Sequence, residues 1–147
     1  MPIYMKIDGV DGESVAKGFE KWIEIDSYSW GASTPPASKV QFQDLHFSFN
    51  EMMPCPPLML LCCNGKQIPN VVLKATGPQN EPYLTVTLKE VMISSYMSSG
   101  NGGSSGPPTS QVSMAFGFIE YRTYWLRKDG SQGTGRSFWN LATNTGG

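Results

Sequence analysis

The chain has one histidine, His46, two residues after Asp44 in the stretch Lys39-Val-Gln-Phe-Gln-Asp-Leu-His-Phe47, which alternates apolar and polar residues. On a β-strand, residues two apart share a face, so an aspartate here is placed to orient an imidazole as a general base. Such a base needs a nucleophile. Ser94, Ser95, Ser98 and Ser99 are abundant, but none stands in a G-x-S-x-G elbow. A polar pair on a half-exposed strand accounts for Asp44 and His46 without catalysis. The three cysteines, Cys55, Cys62 and Cys63, contain a vicinal pair rather than a C-x-x-C spacing. With a single histidine to join them no metal site is expected, and packing as small hydrophobes is the expected role. Their odd number favours reduced thiols in a cytosolic compartment. Gly100-Asn101-Gly102-Gly103 leads to Pro107 and Pro108 rather than to a lysine and a helix, so it reads as a flexible loop and not a phosphate cradle. Asp44, Glu51, Glu81, Glu90 and Glu120 show no paired acid–base spacing. No catalytic, cofactor-binding or metal-ligating residue is assigned, and an enzyme is not expected.

Composition narrows the class further. Charged residues are 16% of the 147, against roughly a quarter in ordinary soluble domains. A low-charge surface is easier to bury in an assembly. The net charge of −1 leaves no electrostatic footprint for nucleic acid. The longest strongly apolar run, residues 58–63, is far too short to span a bilayer. Residues 1–8 lack a basic region followed by an apolar stretch, so no secretory signal peptide is expected.

These residues must be positioned by strands. Alternation and turn residues predict seven, at 3–8, 20–30, 39–50, 68–76, 82–98, 109–126 and 136–142. Paired Pro35 and Pro36 mark 31–38 as a loop, and 98–108 is a Gly/Ser stretch. One helix is expected at 57–64, with Pro57 in its first turn and Gly65 just past its end. The chain is expected to form one domain over 1–147, mainly β: an antiparallel β-barrel of long bent strands with one short flanking α-helix.

Four strands change phase halfway along. Ile23 and Ile25 give way to Tyr28 and Trp30; Val40 and Phe42 to Leu45, Phe47 and Phe49. Leu84, Val86 and Leu88 give way to Val91 and Ile93, and the set 112–118 to Ile119 and Tyr121. A phase change moves the apolar set to the other face. It implies bent strands, or strands buried first on their own core and then against a neighbouring subunit. A β-bulge would serve the first case, with Lys89–Glu90 and Phe118–Ile119 the places to find it.

Several ordered segments are similar to one family. They are Met1-Pro-Ile-Tyr-Met-Lys-Ile-Asp-Gly-Val-Asp-Gly-Glu-Ser14, Trp22-Ile-Glu-Ile-Asp-Ser-Tyr-Ser-Trp-Gly31, residues 39–47, Cys62-Cys-Asn-Gly-Lys66, Tyr83-Leu-Thr-Val-Thr-Leu-Lys-Glu-Val-Met-Ile-Ser-Ser95, residues 112–121, Asp129-Gly130-Ser131 and Phe138-Trp139-Asn140. Together they resemble the haemolysin-coregulated protein (Hcp) family, the tube subunits of bacterial type VI secretion systems. The resemblance implies a structural protein: a β-barrel with a helix on its flank, forming hexameric rings that stack into a hollow tube. Its implied partners are further copies of itself, a contractile sheath, a spike protein and effectors carried in the lumen. It implies assembly in the bacterial cytoplasm and secretion without a signal peptide, with no cofactor, no nucleic acid and no membrane insertion. The chain departs from the family at 32–38 and at Met52-Met53-Pro54-Cys55-Pro56-Pro57, and with the sequence ending at Gly147 the C-terminal toxin domain of some relatives is not expected.

With the half-strand phase changes, the resemblance gives an expectation: one half of each strand covers the core and the other makes ring and tube contacts. Gly31, Ala32, Ser33, Thr34, Pro35 and Pro36 are the candidate ring-stacking or inter-subunit residues, ahead of 98–108. The alternative from another class is a monomeric carbohydrate- or ligand-binding β-barrel that uses Trp22, Trp30, Trp125 and Trp139.

Overall fold

The computed structural model describes every residue from Met1 to Gly147 and contains ten strands and one helix. The strands are β1 (Ile3–Ile7), β2 (Ile23–Glu24), β3 (Ser27–Ser33), β4 (Gln41–Phe49), β5 (Ile68–Thr76), β6 (Pro82–Ser99), β7 (Thr109–Ala115), β8 (Phe118–Leu126), β9 (Gln132–Asn140) and β10 (Thr145–Gly146). The helix α1 (Cys55–Asn64) joins β4 to β5. All pairings are antiparallel.

Two ladders share the 18-residue strand β6. One runs β10-β9-β8-β6-β5-β1-β2, and the other runs β3-β4-β7-β6. Up to Val91, β6 pairs with β5 on one side and β8 on the other. From Met92 onward it pairs with β7 alone. At the far side β2 runs on into β3. There the amide of Ile25 donates to the Ile3 carbonyl, and that of Asp26 to the Ser48 carbonyl. The body is therefore barrel-like, mainly β with one short helix, and turns its corners at these two places rather than closing by one unbroken ladder.

The corners explain the phase changes. Val86, Leu88, Val91 and Ile93 are all buried, on both sides of the change in β6. Glu90 between them has φ 53°, a left-handed conformation that turns the alternation back to the same interior without an inserted residue, since Asn70 stays opposite Lys89 and Ile68 opposite Val91; no bulge interrupts the ladder at Lys89–Glu90 or at Phe118–Ile119. The amide of Gly117 donates to the Lys89 carbonyl at this point, so β7 gives way to β8 on the same flank of β6. In β4 the register slips between Ser29 and Gly31 of β3, which lie opposite His46 and Gln43. Phe42 still packs on the core beside buried Leu45, Phe47 and Phe49. Twenty-two buried residues form one cluster, with Tyr28 and Trp30 packed against it. In the first three of these strands both phases thus serve one core, which overturns there the expectation that the side chains of one half are spared for a neighbour; in β8 Ile119 is buried but Tyr121 is exposed.

Boundaries also shift. The spans 20–30 and 109–126 are each two strands, broken at the corners, and β9 begins at Gln132 rather than 136. The helix starts at Cys55 with Pro56 and Pro57 in its first turn, where a missing N–H costs nothing. It ends at Gly65, whose left-handed φ of 64° closes the last turn, its N–H donating a hydrogen bond to the Leu61 carbonyl.

Candidate functional site

The sheet β3-β4-β7-β6 has two open edges. β3 pairs only with β4. Residues 92–99 of β6 pair only with β7, because β5 stops opposite Val91. Neither segment contains a charged residue or a proline: Ser27-Tyr-Ser-Trp-Gly-Ala-Ser33 and Met92-Ile-Ser-Ser-Tyr-Met-Ser-Ser99. Charge, proline and shortness are the devices that stop sheets joining edge to edge. The other ladder uses shortness, since its outer strands β2 and β10 are two residues each. The four-stranded sheet has no such guard.

Its two faces differ sharply. Tyr28, Trp30, Leu45, Phe47, Val112, Met114, Ile93 and Tyr96 point to the core side. The opposite face carries hydroxyls and amides, with the exposed side chain of Met97 among them, around a shallow concavity of about 420 Å³ lined by Ser27, Ser29, His46, Ser48, Ser95 and Gln111. Ser27 and Ser48 share a hydrogen bond of 2.6 Å between their Oγ atoms. His46 Nδ1 lies 2.6 Å from Ser113 Oγ. Asp44 does not orient that imidazole; its Oδ2 accepts from Ser94 Oγ at 2.6 Å. The pairing Asp44–His46 suggested by their spacing is therefore replaced by two separate cross-strand pairs, and the carboxylate that a triad would require is engaged elsewhere.

On the core side two tyrosine phenols are shifted upward. Burial raises the Tyr28 phenol above its ordinary value, and Tyr121 beside it adds to the shift. Burial also raises Tyr96, reinforced by its contact with Cys55 and opposed by the Ser110 hydroxyl. Tyr96 Oη lies 3.0 Å from Ser110 Oγ, and Cys55 Sγ lies 3.3 Å from the same hydroxyl, so this network ties the start of α1 to β6 and β7.

Beyond β3 the two sheets part. Trp30 meets Tyr121 edge to face at 5.1 Å, and outside this contact lies an apolar cleft of about 410 Å³. Of the candidate inter-subunit residues, Gly31, Ala32 and Ser33 belong to β3, opposite Gln43, Phe42 and Gln41. Thr34, Pro35 and Pro36 enter the loop that follows, where the Ser38 amide donates to the Pro35 carbonyl and Ala37 takes a φ of 57°. The six thus divide between an open strand edge and a turn. Sequence reasoning missed the edge at 92–99, whose signal was eight residues without charge or proline beside a helix.

Residues 4–123 match the family model described as type VI secretion system effector, Hcp. The chain belongs to the Hcp family. Hcp1 of Pseudomonas aeruginosa is 33% identical across 97% of the chain and 96% of that protein. Among solved structures, Hcp1 from Salmonella typhimurium superposes with a TM-score of 0.88 at 24% identity, covering 99% of this chain and 97% of that one. A type VI secretion system effector from Yersinia pestis does so with a TM-score of 0.78 at 20% identity, covering 94% and 98%. These likenesses establish the fold, and Hcp membership makes the chain a structural subunit of the type VI secretion tube.

Proposed function

We propose that this Hcp chain closes its ring by edge pairing: β3 of one copy lies against residues 92–99 of the next. The observation that carries this is the pair of long, uncharged open edges on one sheet. Strand direction alternates along β3, β4, β7 and β6, so an even number of strands brings an upward edge beside a downward one. Rotation of identical copies therefore continues the antiparallel order across every junction. Such a contact is heterologous, and a heterologous contact generates a closed ring when the rotation fits.

A ring is wider outside than inside. The ten-stranded body places β1, β2, β5, β8, β9 and α1 on one side of the four-stranded sheet, so that side takes the larger circumference. The hydroxyl-rich face then lines the channel. Rings of six stacked into a tube follow from the family. Thr34, Pro35 and Pro36, projecting past the β3 edge, make the ring-to-ring contact, while Gly31, Ala32 and Ser33 belong to the contact within a ring. Sheath, spike and luminal effectors are the partners of such a tube, which is assembled in the cytoplasm and exported by contraction; the chain acts without catalysis. Native mass spectrometry of the purified protein at high concentration tests the reading. The expected mass is that of six copies, and a monomer alone contradicts it.

A further inference from the structure

Asparagine is followed by glycine at two places, Asn64-Gly65 and Asn101-Gly102. This dipeptide carries its own chemistry. The glycine backbone nitrogen can attack the asparagine side-chain carbonyl and expel ammonia, and glycine has no Cβ to hinder the closure. The step needs a polarised carbonyl, a free glycine N–H and solvent.

In both pairs the carbonyl is held in the same way. Asn64 Oδ1 accepts from the Lys66 amide at 2.9 Å, and Asn101 Oδ1 accepts from the Gly103 amide at 3.0 Å. A hydrogen bond to that oxygen favours the negative charge that attack at Cγ places on it. The glycine nitrogens differ. The Gly65 amide donates to the Leu61 carbonyl at 3.2 Å, so its proton is held and it cannot rearrange without undoing the end of α1. The Gly102 amide donates to no protein group. Residues 101–108 are exposed, and a Cβ built on Gly102 would meet nothing within 4 Å, so water reaches the nitrogen. The Ser104 amide donates to the Asn101 main-chain carbonyl at 2.9 Å, fixing a tight turn in which the side chain folds back over its own backbone.

We propose that Asn101 is a self-modifying site, converting to aspartate and isoaspartate while Asn64 stays intact. The Gly102 nitrogen gives its proton to hydroxide and bonds to Asn101 Cγ. The Cγ–Nδ2 bond breaks, and Nδ2 takes a proton from water and leaves as ammonia. Water then opens the resulting imide. Cleavage of the new N–Cγ bond leaves aspartate; cleavage of the original peptide bond to Gly102 leaves isoaspartate, with the main chain routed through the side chain. Nothing is oxidised or reduced, and water is the only other reactant.

Each conversion adds one negative charge to a chain whose net charge is −1. Its place is set by the register. Ser98 lies opposite Ser110 and Ser110 opposite Phe49, which puts the 98–108 loop at one end of the four-stranded sheet. Ser33 lies opposite Gln41, which puts Thr34, Pro35 and Pro36 at the other. Conversion therefore charges one end of the sheet and leaves the other as it was made.

Incubation of the purified protein in warm, mildly alkaline buffer, followed by peptide mapping with electron-transfer fragmentation, reads both sites in one sample. Asn101 is expected to convert at least roughly 10-fold faster than Asn64, the factor that a hydrogen bond held on Gly65 supplies. In urea, where the end of α1 is lost, the two rates are expected to converge. An isoaspartyl methyltransferase with labelled S-adenosylmethionine should mark aged wild-type protein and leave aged N101Q unmarked. Equal rates at the two sites in the folded protein, or faster conversion at Asn64, would overturn the proposal. So would equal marking of aged N101Q, or a folded Asn101 that stays intact while both sites convert in urea. None of these readouts depends on how many copies assemble, so they leave the ring reading to its own test.

Discussion

Glu51 caps the backbone of Glu13, and Glu13 caps the two residues that follow Glu51. The Glu51 carboxylate accepts from the amides of Glu13 and Glu24 at 2.7 and 2.8 Å, and Glu13 Oε2 accepts from the amides of Met52 and Met53, both at 2.8 Å. The long connection between β1 and β2 is thereby bound to the entry of α1, whose own first turn has no acidic residue and no side-chain cap.

Charge-assisted bonds of this kind are worth about 1.5–3 kcal/mol each where sheltered, and solvent screening lowers that at this exposed site. Replacing Glu51 by Ala is expected to cost about 1–2 kcal/mol in urea unfolding of the monomer. Glu13→Ala should cost less, because it frees only the two helix-entry amides. The double variant should fall short of the sum, since each carboxylate loses its value when the other loop is released. Additive costs would mean the two carboxylates act independently.

At the β6 corner, Glu90 occupies left-handed backbone, and a Cβ added at Gly117 would meet the Glu90 side chain. Glu90→Val is expected to destabilise by about 1–3 kcal/mol, because a β-branched residue tolerates that conformation poorly. Glu90→Gly should be close to neutral. Gly117→Ala should be harmful in the wild-type chain and milder beside Glu90→Gly. A Glu90→Val protein with unchanged unfolding would show that the corner is not built on that residue.

Removal of residues 34–37 is expected to leave the number of copies in the ring unchanged and to weaken stacking of rings into tubes. Sedimentation and electron microscopy of the two proteins check it. Tubes that form equally well would take the ring-to-ring contact away from Thr34, Pro35 and Pro36.

Tyr28 and Tyr96 give the fold an alkaline limit. Both phenols are raised in the folded chain, so their contribution is fully present below the ordinary value near 10. It is lost as pH climbs through the raised values, because the unfolded chain ionises first. A pH series of thermal melts should therefore fall above about pH 10. The fall should be shallower in Y28F and Y96F. Equal slopes in all three proteins would place the alkaline sensitivity elsewhere.

The strand pattern and the helix were legible in the sequence because alternation, prolines and glycines report local conformation. The phase changes were legible too, yet their meaning was not. Alternation records which residue of a strand is apolar, and cannot distinguish a second interface from a left-handed residue that returns the side chains to the same core. Glu90 carries no sequence mark of its left-handed φ, since glycine or asparagine is the usual signal there. The break at Gly117 was equally silent, so 109–126 read as one strand. The assembly edges required pairing partners to be known, because an edge is defined by the strand that is missing. The Asp44–His46 spacing named no partner for either side chain: His46 meets Ser113 directly opposite on β7, and Asp44 reaches Ser94 on β6.

A three-dimensional reconstruction of the assembled protein by electron microscopy tests the central claim most directly. The account predicts rings of six with an open centre, in which β3 of each copy runs antiparallel to residues 92–99 of the next and the Ser27, Ser48 and Ser113 face lines the channel. Rings in which both strand edges remain solvent-exposed, or in which that hydroxyl-rich face points outward, would contradict it.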